Sequence, residues 1–187
     1  MRFLSLLLIL LISCFHPTTP LQQGPTRIHI IMDQNYTCNG FVFDDKGSIL
    51  TAGHCVSDAI WLGTMEGRDI RRYETETLDP SKDIAVIVPY QIVRKNPEYD
   101  WPQVGPRLGD SVYFLDKYQT KQEAKVQSFE CVVNDLGSRL CLWSLPVCPL
   151  KGNSGSPVFD SKGQLLGVVV AGDHVKGLTY FSTLTIK

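Results

Sequence analysis

No stretch beyond residue 26 reads as an amphipathic helix of useful length, and this restricts the fold more than any other feature of the chain. Short runs with β-branched and aromatic residues take the place of helices. They fall at 27–32, 39–43, 48–52, 59–62, 70–77 and 84–88, then at 111–115, 124–133, 139–144, 156–159, 165–171 and 179–185. Turn signals separate them: Asp44-Asp45-Lys46-Gly47 reads as a hairpin turn, and Asn134-Asp135-Leu136-Gly137 as another. Residues 84–88 are continuously apolar, as expected of a strand buried on both faces. The 15 glycines and 11 prolines, spread along the chain, suit many short strands better than long helices. Pro89, Pro97, Pro102 and Pro106 cluster between the two sets of runs, so 89–108 reads as a connector lying over the surface. Two equal β-rich halves predict an all-β fold of two packed six-stranded antiparallel β-barrels, because closing a sheet removes its exposed edges. The first barrel is expected at about 27–88 and the second at about 109–187.

Charge excludes some functions. The 18 Lys and Arg against 19 Asp and Glu leave a net charge of −1, which does not suit a protein that coats nucleic acid. Hydrophobic residues make up 43% and charged ones 20%, enough apolar content to build a core and exclude global disorder.

The first 13 residues, MRFLSLLLILLIS, carry one charge and then an apolar run too short to span a bilayer, which needs about 20 residues. They read as a signal peptide, and the chain as exported. Leu11-Ile12-Ser13-Cys14 is similar to the lipobox of bacterial lipoproteins, which would put a lipid on Cys14. The other reading is an ordinary signal peptide with Cys14 incidental to it. Residues 14–26, with Pro17, Pro20 and Pro25, read as a tether. The expected location is extracytoplasmic: secreted, periplasmic, or lipid-anchored at a bacterial membrane.

Three segments carry chemistry. Thr51-Ala52-Gly53-His54-Cys55 ends a predicted strand, Asp83-Ile84-Ala85-Val86 starts one, and Gly152-Asn153-Ser154-Gly155-Ser156-Pro157 precedes another. Their order is His, Asp, Ser. A serine hydroxyl is a weak nucleophile at neutral pH and needs a base, which a neutral imidazole supplies. A carboxylate must hold that imidazole in the right tautomer, and backbone N–H groups must receive the developing oxyanion.

These segments resemble the signatures of the chymotrypsin-like (trypsin-fold) serine endopeptidases, in the family's order and over roughly 27–187. The resemblance implies His54 as general base, Asp83 as its orienting carboxylate and Ser154 as nucleophile. It implies the Gly152 and Ser154 amides as the oxyanion hole. It also implies a Cys38–Cys55 disulfide beside the histidine.

The chain departs from the family in several places. Asn153 stands where trypsin-type zymogens carry the Asp that pairs with a new N-terminus, and residues 27–30 lack the Ile-Val-Gly-Gly motif. No N-terminal activation cleavage is therefore expected, and with Asn153 the chain resembles the bacterial, periplasmic stress-protease and viral branches of the family. Ser156 stands where the family has a second glycine. With the last predicted strand so near Lys187, neither the C-terminal helix of trypsin nor an appended PDZ-like module is expected.

Cys131 and Cys141 lie symmetrically about the 134–137 turn, which suits a cross-strand disulfide and leaves Cys148 as the odd thiol. Alternatively Cys131, Cys141, Cys148 and His174 hold a structural zinc, as in some viral relatives. By the resemblance, Cys148 floors the primary specificity pocket, and Val169, Val170, Ala171 and Gly172 line it and pair with substrate. No carboxylate lies between 144 and 151, so cleavage after small or medium apolar residues is expected, not after Arg or Lys. Asp173 directly follows the residues expected to line the pocket.

The expected function is an exported serine endopeptidase acting on polypeptides through an acyl-enzyme, with no cofactor required by the triad. The alternative is a membrane-tethered peptide-binding module on the same fold, with little or no turnover.

Overall fold

The computed structural model describes residues 19–20, 26–32, 36–57, 59–64, 70, 73–90, 99, 104–133, 137 and 139–184. The segment read as a signal peptide (1–13), Cys14, most of the segment read as a tether and most of the 89–108 connector lie outside the described residues.

The fold is the expected all-β one, built from two antiparallel sheets. The first sheet holds β2 (Arg27–Met32), β3 (Thr37–Val42), β4 (Ile49–Ala52), β5 (Ala59–Thr64), β6 (Tyr73–Asp79) and β7 (Ile84–Pro89). Their spatial order is β5-β2-β3-β4-β7-β6. The second holds β1 (Thr19–Pro20), β8 (Ser111–Leu115), β9 (Thr120–Lys125), β10 (Ser128–Val133), β11 (Arg139–Leu145), β12 (Pro157–Asp160), β13 (Leu165–Asp173) and β14 (Leu178–Thr183). These run β1-β9-β8-β12-β13-β14-β11-β10.

The second sheet thus has eight strands where six were expected. One extra strand comes from the presumed tether, where Thr19 and Pro20 pair with Lys121 and Thr120 at the sheet edge. The other comes from the run 124–133, which is two strands. Thr120–Lys125 has Ala124 as its only apolar residue and shows no apolar alternation to read. At Val126 the chain leaves β8 for β11: the Val126 N–H donates to the Asp110 carbonyl, and its own carbonyl accepts from Gly109.

Burial follows the pattern of the sequence. Ile84, Ala85, Val86 and Ile87 are all buried, as a continuous apolar run in a central strand requires. One core cluster joins the sheets, taking Phe41, Leu50 and Ile87 from the first and Leu142, Val168 and Tyr180 from the second. A smaller cluster, with Phe114, Leu145, Val158 and Phe181, fills the second sheet alone. Each such side chain contributes about 1.5–3 kcal/mol by leaving water. Tyr99, from the connector, meets Phe41 edge-on at 6.3 Å and Phe159 at 5.6 Å between ring centroids, so one aromatic side chain bridges the sheets. Elsewhere the sheets meet where the Asn39 N–H donates to the Ser154 carbonyl.

Candidate active site

The first sheet delivers the histidine and the aspartate. β4 runs into a one-turn helix, α1 (His54–Ser57), and the Cys38–Cys55 disulfide ties that turn to β3. Asp83 follows the 3-10 turn Pro80–Lys82 and adopts a φ of 56°, a left-handed conformation that Asp and Asn accept better than most residues. The turn aims its carboxylate at α1. Asp83 Oδ1 accepts the His54 backbone N–H at 2.7 Å, and Oδ2 lies 2.6 Å from His54 Nδ1. The Gly53 N–H donates to the Asp83 carbonyl at 2.8 Å. An ionised carboxylate only accepts, so Nδ1 carries the proton and Nε2 keeps a lone pair for base chemistry. Nε2 lies 3.6 Å from Cys55 Sγ. The structure does not join it to Ser154 Oγ by a hydrogen bond.

The second sheet delivers the loop 151–156 between β11 and β12. Its two glycines, Gly152 at φ 88° and Gly155 at φ 81°, occupy the left-handed region. A Cβ on Gly155 would stand 1.7 Å from the Asn39 carbonyl oxygen, so that position admits glycine alone. The Gly155 N–H donates to the Val169 carbonyl at 2.7 Å, and the Val169 N–H to the Ser156 carbonyl at 2.9 Å. The Ser154 carbonyl accepts the Asn39 N–H at 2.7 Å. Among the described residues neither the Gly152 nor the Ser154 amide donates to any group, so both are available to an incoming oxygen. Asn153 is buried, and its Oδ1 accepts the Lys117 N–H at 3.0 Å.

Beside Ser154 opens a cavity of about 130 Å³ lined by 149–154, Val169, Ala171, Gly172, His174 and Thr179. Three of the five predicted pocket residues are there. Val170 is not: side chains alternate along a strand, and that one packs into the core that joins the sheets. Cys148 is not a lining residue either. Pro149 forms the wall in its stead, so close to Gly172 that a Cβ on the glycine would stand 2.2 Å from Pro149 Cβ. His174, read from sequence as a ligand in the zinc alternative, and Thr179 complete the lining. Asp173 stays on its own turn, where its Oδ1 accepts the Val175 and Lys176 N–H groups at 2.9 Å. The Lys176 bond holds its pKa below the ordinary carboxylate value, ahead of the smaller effects around it. Among the described residues no carboxylate lines the cavity.

Cys131 and Cys141 are disulfide-bonded across the β10–β11 pair. Cys148 is disulfide-bonded as well, which corrects its reading as the odd thiol. With their sulfurs so engaged, none of the three supplies the thiolate that a zinc site needs, and the zinc alternative falls. Cys38, His54 and Cys55 place their ligand atoms within 4.8 Å of one another, but those two sulfurs share a disulfide too.

Sequence reading missed Asn39. It sits next to Cys38 in β3 with nothing local to mark it, yet its Nδ2 donates to the Gly152 carbonyl, 113 residues away, at 2.6 Å.

A family model for the trypsin-like peptidase domain matches residues 38–168. No curated protein sequence matches significantly. Among solved structures, the Rv3671c protease of M. tuberculosis in its active form is similar over 85% of this chain and 76% of that one, at 17% identity and a TM-score of 0.66. The MamO protease domain of Magnetospirillum magneticum is similar over 85% of this chain and 91% of that one, at 16% identity and a TM-score of 0.67. The HtrA-type protease AlgW, solved with a tripeptide, is similar over 84% of this chain but only 55% of its own length, at 20% identity and a TM-score of 0.63. At such identities these likenesses speak for the fold. The family model spans both sheets and contains all three motif segments, and on that match the chain belongs to the trypsin-like peptidase family.

Proposed function

We propose that the protein is an exported serine endopeptidase in which His54, Asp83 and Ser154 act as a triad. The observation that carries the reading is the two-point grip of Asp83 on His54, through the backbone N–H and Nδ1, opposite two unengaged amides at Gly152 and Ser154. Catalysis requires Nε2 to meet Oγ, a bond that free enzymes commonly hold long until substrate arrives. Nε2 then takes the Ser154 proton as Oγ bonds to the scissile carbonyl carbon. The carbonyl oxygen, now negative, receives the Gly152 and Ser154 N–H groups. The C–N bond breaks, the leaving amine takes the proton from Nε2, and water hydrolyses the acyl-enzyme by the same route.

The substrate is a polypeptide paired to β13 as an added strand. The small cavity, its Pro149–Gly172 wall and the absence of a carboxylate favour a small or medium apolar side chain before the cut. Lys151 in the lining disfavours Arg and Lys there. Export is supported by the apolar leader and by the Cys38–Cys55 and Cys131–Cys141 disulfides, which persist in oxidising compartments.

The test is labelling of the purified protein by a fluorophosphonate probe beside Ser154→Ala. Label that depends on Ser154 is the expected result. No label in either protein would favour the peptide-binding module instead. A peptide library cut mainly after Arg or Lys would overturn the pocket assignment.

A further inference from the structure

Resting on the serine peptidase reading above, we propose that Asn39 is the positioning residue of the oxyanion loop, a latch from the first sheet that replaces the charged device of trypsin-type zymogens. Asn39 is buried at 2% exposure, and all four hydrogen-bonding capacities of its amide are engaged. Nδ2 donates to the Gly152 carbonyl at 2.6 Å and to Ser156 Oγ at 2.9 Å. Oδ1 accepts from Arg27 Nε at 2.7 Å and also from Arg27 Nη2. The backbone joins in: the Asn39 N–H donates to the Ser154 carbonyl, and its C=O accepts Thr51 Oγ1 at 2.6 Å. One residue of the first sheet thereby holds three residues of the loop: Gly152, Ser154 and Ser156.

Arg27 determines which way the amide points. A guanidinium only donates, so the side-chain oxygen must face it and the NH₂ must face the loop. The reversed amide would set donors against Arg27 and an acceptor against the Gly152 carbonyl.

The consequence falls on Gly152. It is a glycine at φ 88°, so little in its own side of the chain restricts the peptide planes on either side. Asn39 holds the following plane by its carbonyl, and the N–H of that same plane donates to the Leu150 carbonyl at 3.1 Å. The Gly152 N–H lies in the preceding plane, between the Leu150 carbonyl and the held plane, so anchoring both sides restricts its direction before substrate binds. The two departures from the family pattern, Ser156 and the uncharged Asn153, are thereby connected. Ser156 gives the latch its second acceptor. The uncharged Asn153 is tied by the Lys117 N–H and needs no new N-terminus.

The experiment compares wild type, Asn39→Asp and Ser156→Ala. It measures the second-order rate of fluorophosphonate labelling, kcat and KM on a cleaved library peptide, and amide hydrogen exchange over 150–157. Asn39→Asp is nearly isosteric and keeps the Arg27 contact but sets an oxygen against the Gly152 carbonyl. Labelling and kcat should fall about ten- to a hundred-fold with KM within about two-fold, a split that general destabilisation would not give. Exchange over 150–157 should quicken while β3 and β4 stay protected. Ser156→Ala should show the same pattern at about two- to five-fold. Unchanged labelling and exchange in Asn39→Asp would overturn the proposal; should that variant fail to fold, unchanged values in Ser156→Ala would do so. If wild type resists labelling, the serine peptidase reading falls, and the exchange comparison then decides the latch alone.

Discussion

The two sheets hold their parts of the site differently. In the first sheet, His54 and Asp83 are 29 residues apart, and three hydrogen bonds and a disulfide within that sheet fix them. In the second, the 151–156 loop draws much of its order from across the junction, through Asn39 and Arg27. One half of the site is self-contained and the other is completed by its neighbour. Damage to the first sheet's pair should therefore lower the chemistry and spare the loop, whereas damage to the junction should disturb loop and fold together.

The largest expected effect falls on the chemistry. Asp83→Asn keeps a residue type that accepts φ 56° but offers Nδ1 the wrong partner, so kcat should drop about 10⁴-fold while the melting temperature changes little. Steady-state kinetics with a thermal melt check this; a loss of folding in step with activity would contradict a self-contained pair. Next comes the junction. Gly155→Ala puts a Cβ 1.7 Å from the Asn39 oxygen at a left-handed φ, and should destabilise by about 3–5 kcal/mol in urea unfolding.

The disulfides sharpen the contrast. Cys38 and Cys55 are buried beside His54, whereas Cys131 and Cys141 are exposed on the β10–β11 pair. Replacing either pair by alanine should cost about 2–4 kcal/mol. Only the Cys38/Cys55 change should also lower kcat; equal kcat losses would show that the second sheet's edge is coupled to the site.

The smallest effect is a pH slope. Burial, and then the neighbouring Arg27, lower the His29 pKa below its ordinary 6.5. Above that value His29 is neutral folded and unfolded alike. As pH falls from it through the depressed folded value, the unfolded chain binds the proton first and stability is lost. His29→Gln should flatten the unfolding free energy over that range; an unchanged slope would place the titration elsewhere.

Strand positions and motif order were legible in the sequence because both are local. Alternation, turn residues and a continuous apolar run report on neighbours one or two residues away, as Ile84–Pro89 illustrates. Thr120–Lys125 was not legible as a separate strand, because a single apolar residue, Ala124, does not make an alternating face. The pocket was partly legible: Val169, Ala171 and Gly172 line it, while Val170 turns to the core and Pro149 and His174 enter from other segments.

By itself the sequence determined the all-β class, the division into two β-rich halves and the residue types of the site, since these follow from local backbone preference and from the chemistry a side chain can offer. Only the tertiary structure decided which atoms meet. Whether Asn39 touches solvent or the Gly152 carbonyl, and whether Asp173 faces the pocket or caps its own turn, depends on contacts between segments far apart in the chain. No periodicity records them, because they arise only when two independently patterned sheets pack against each other.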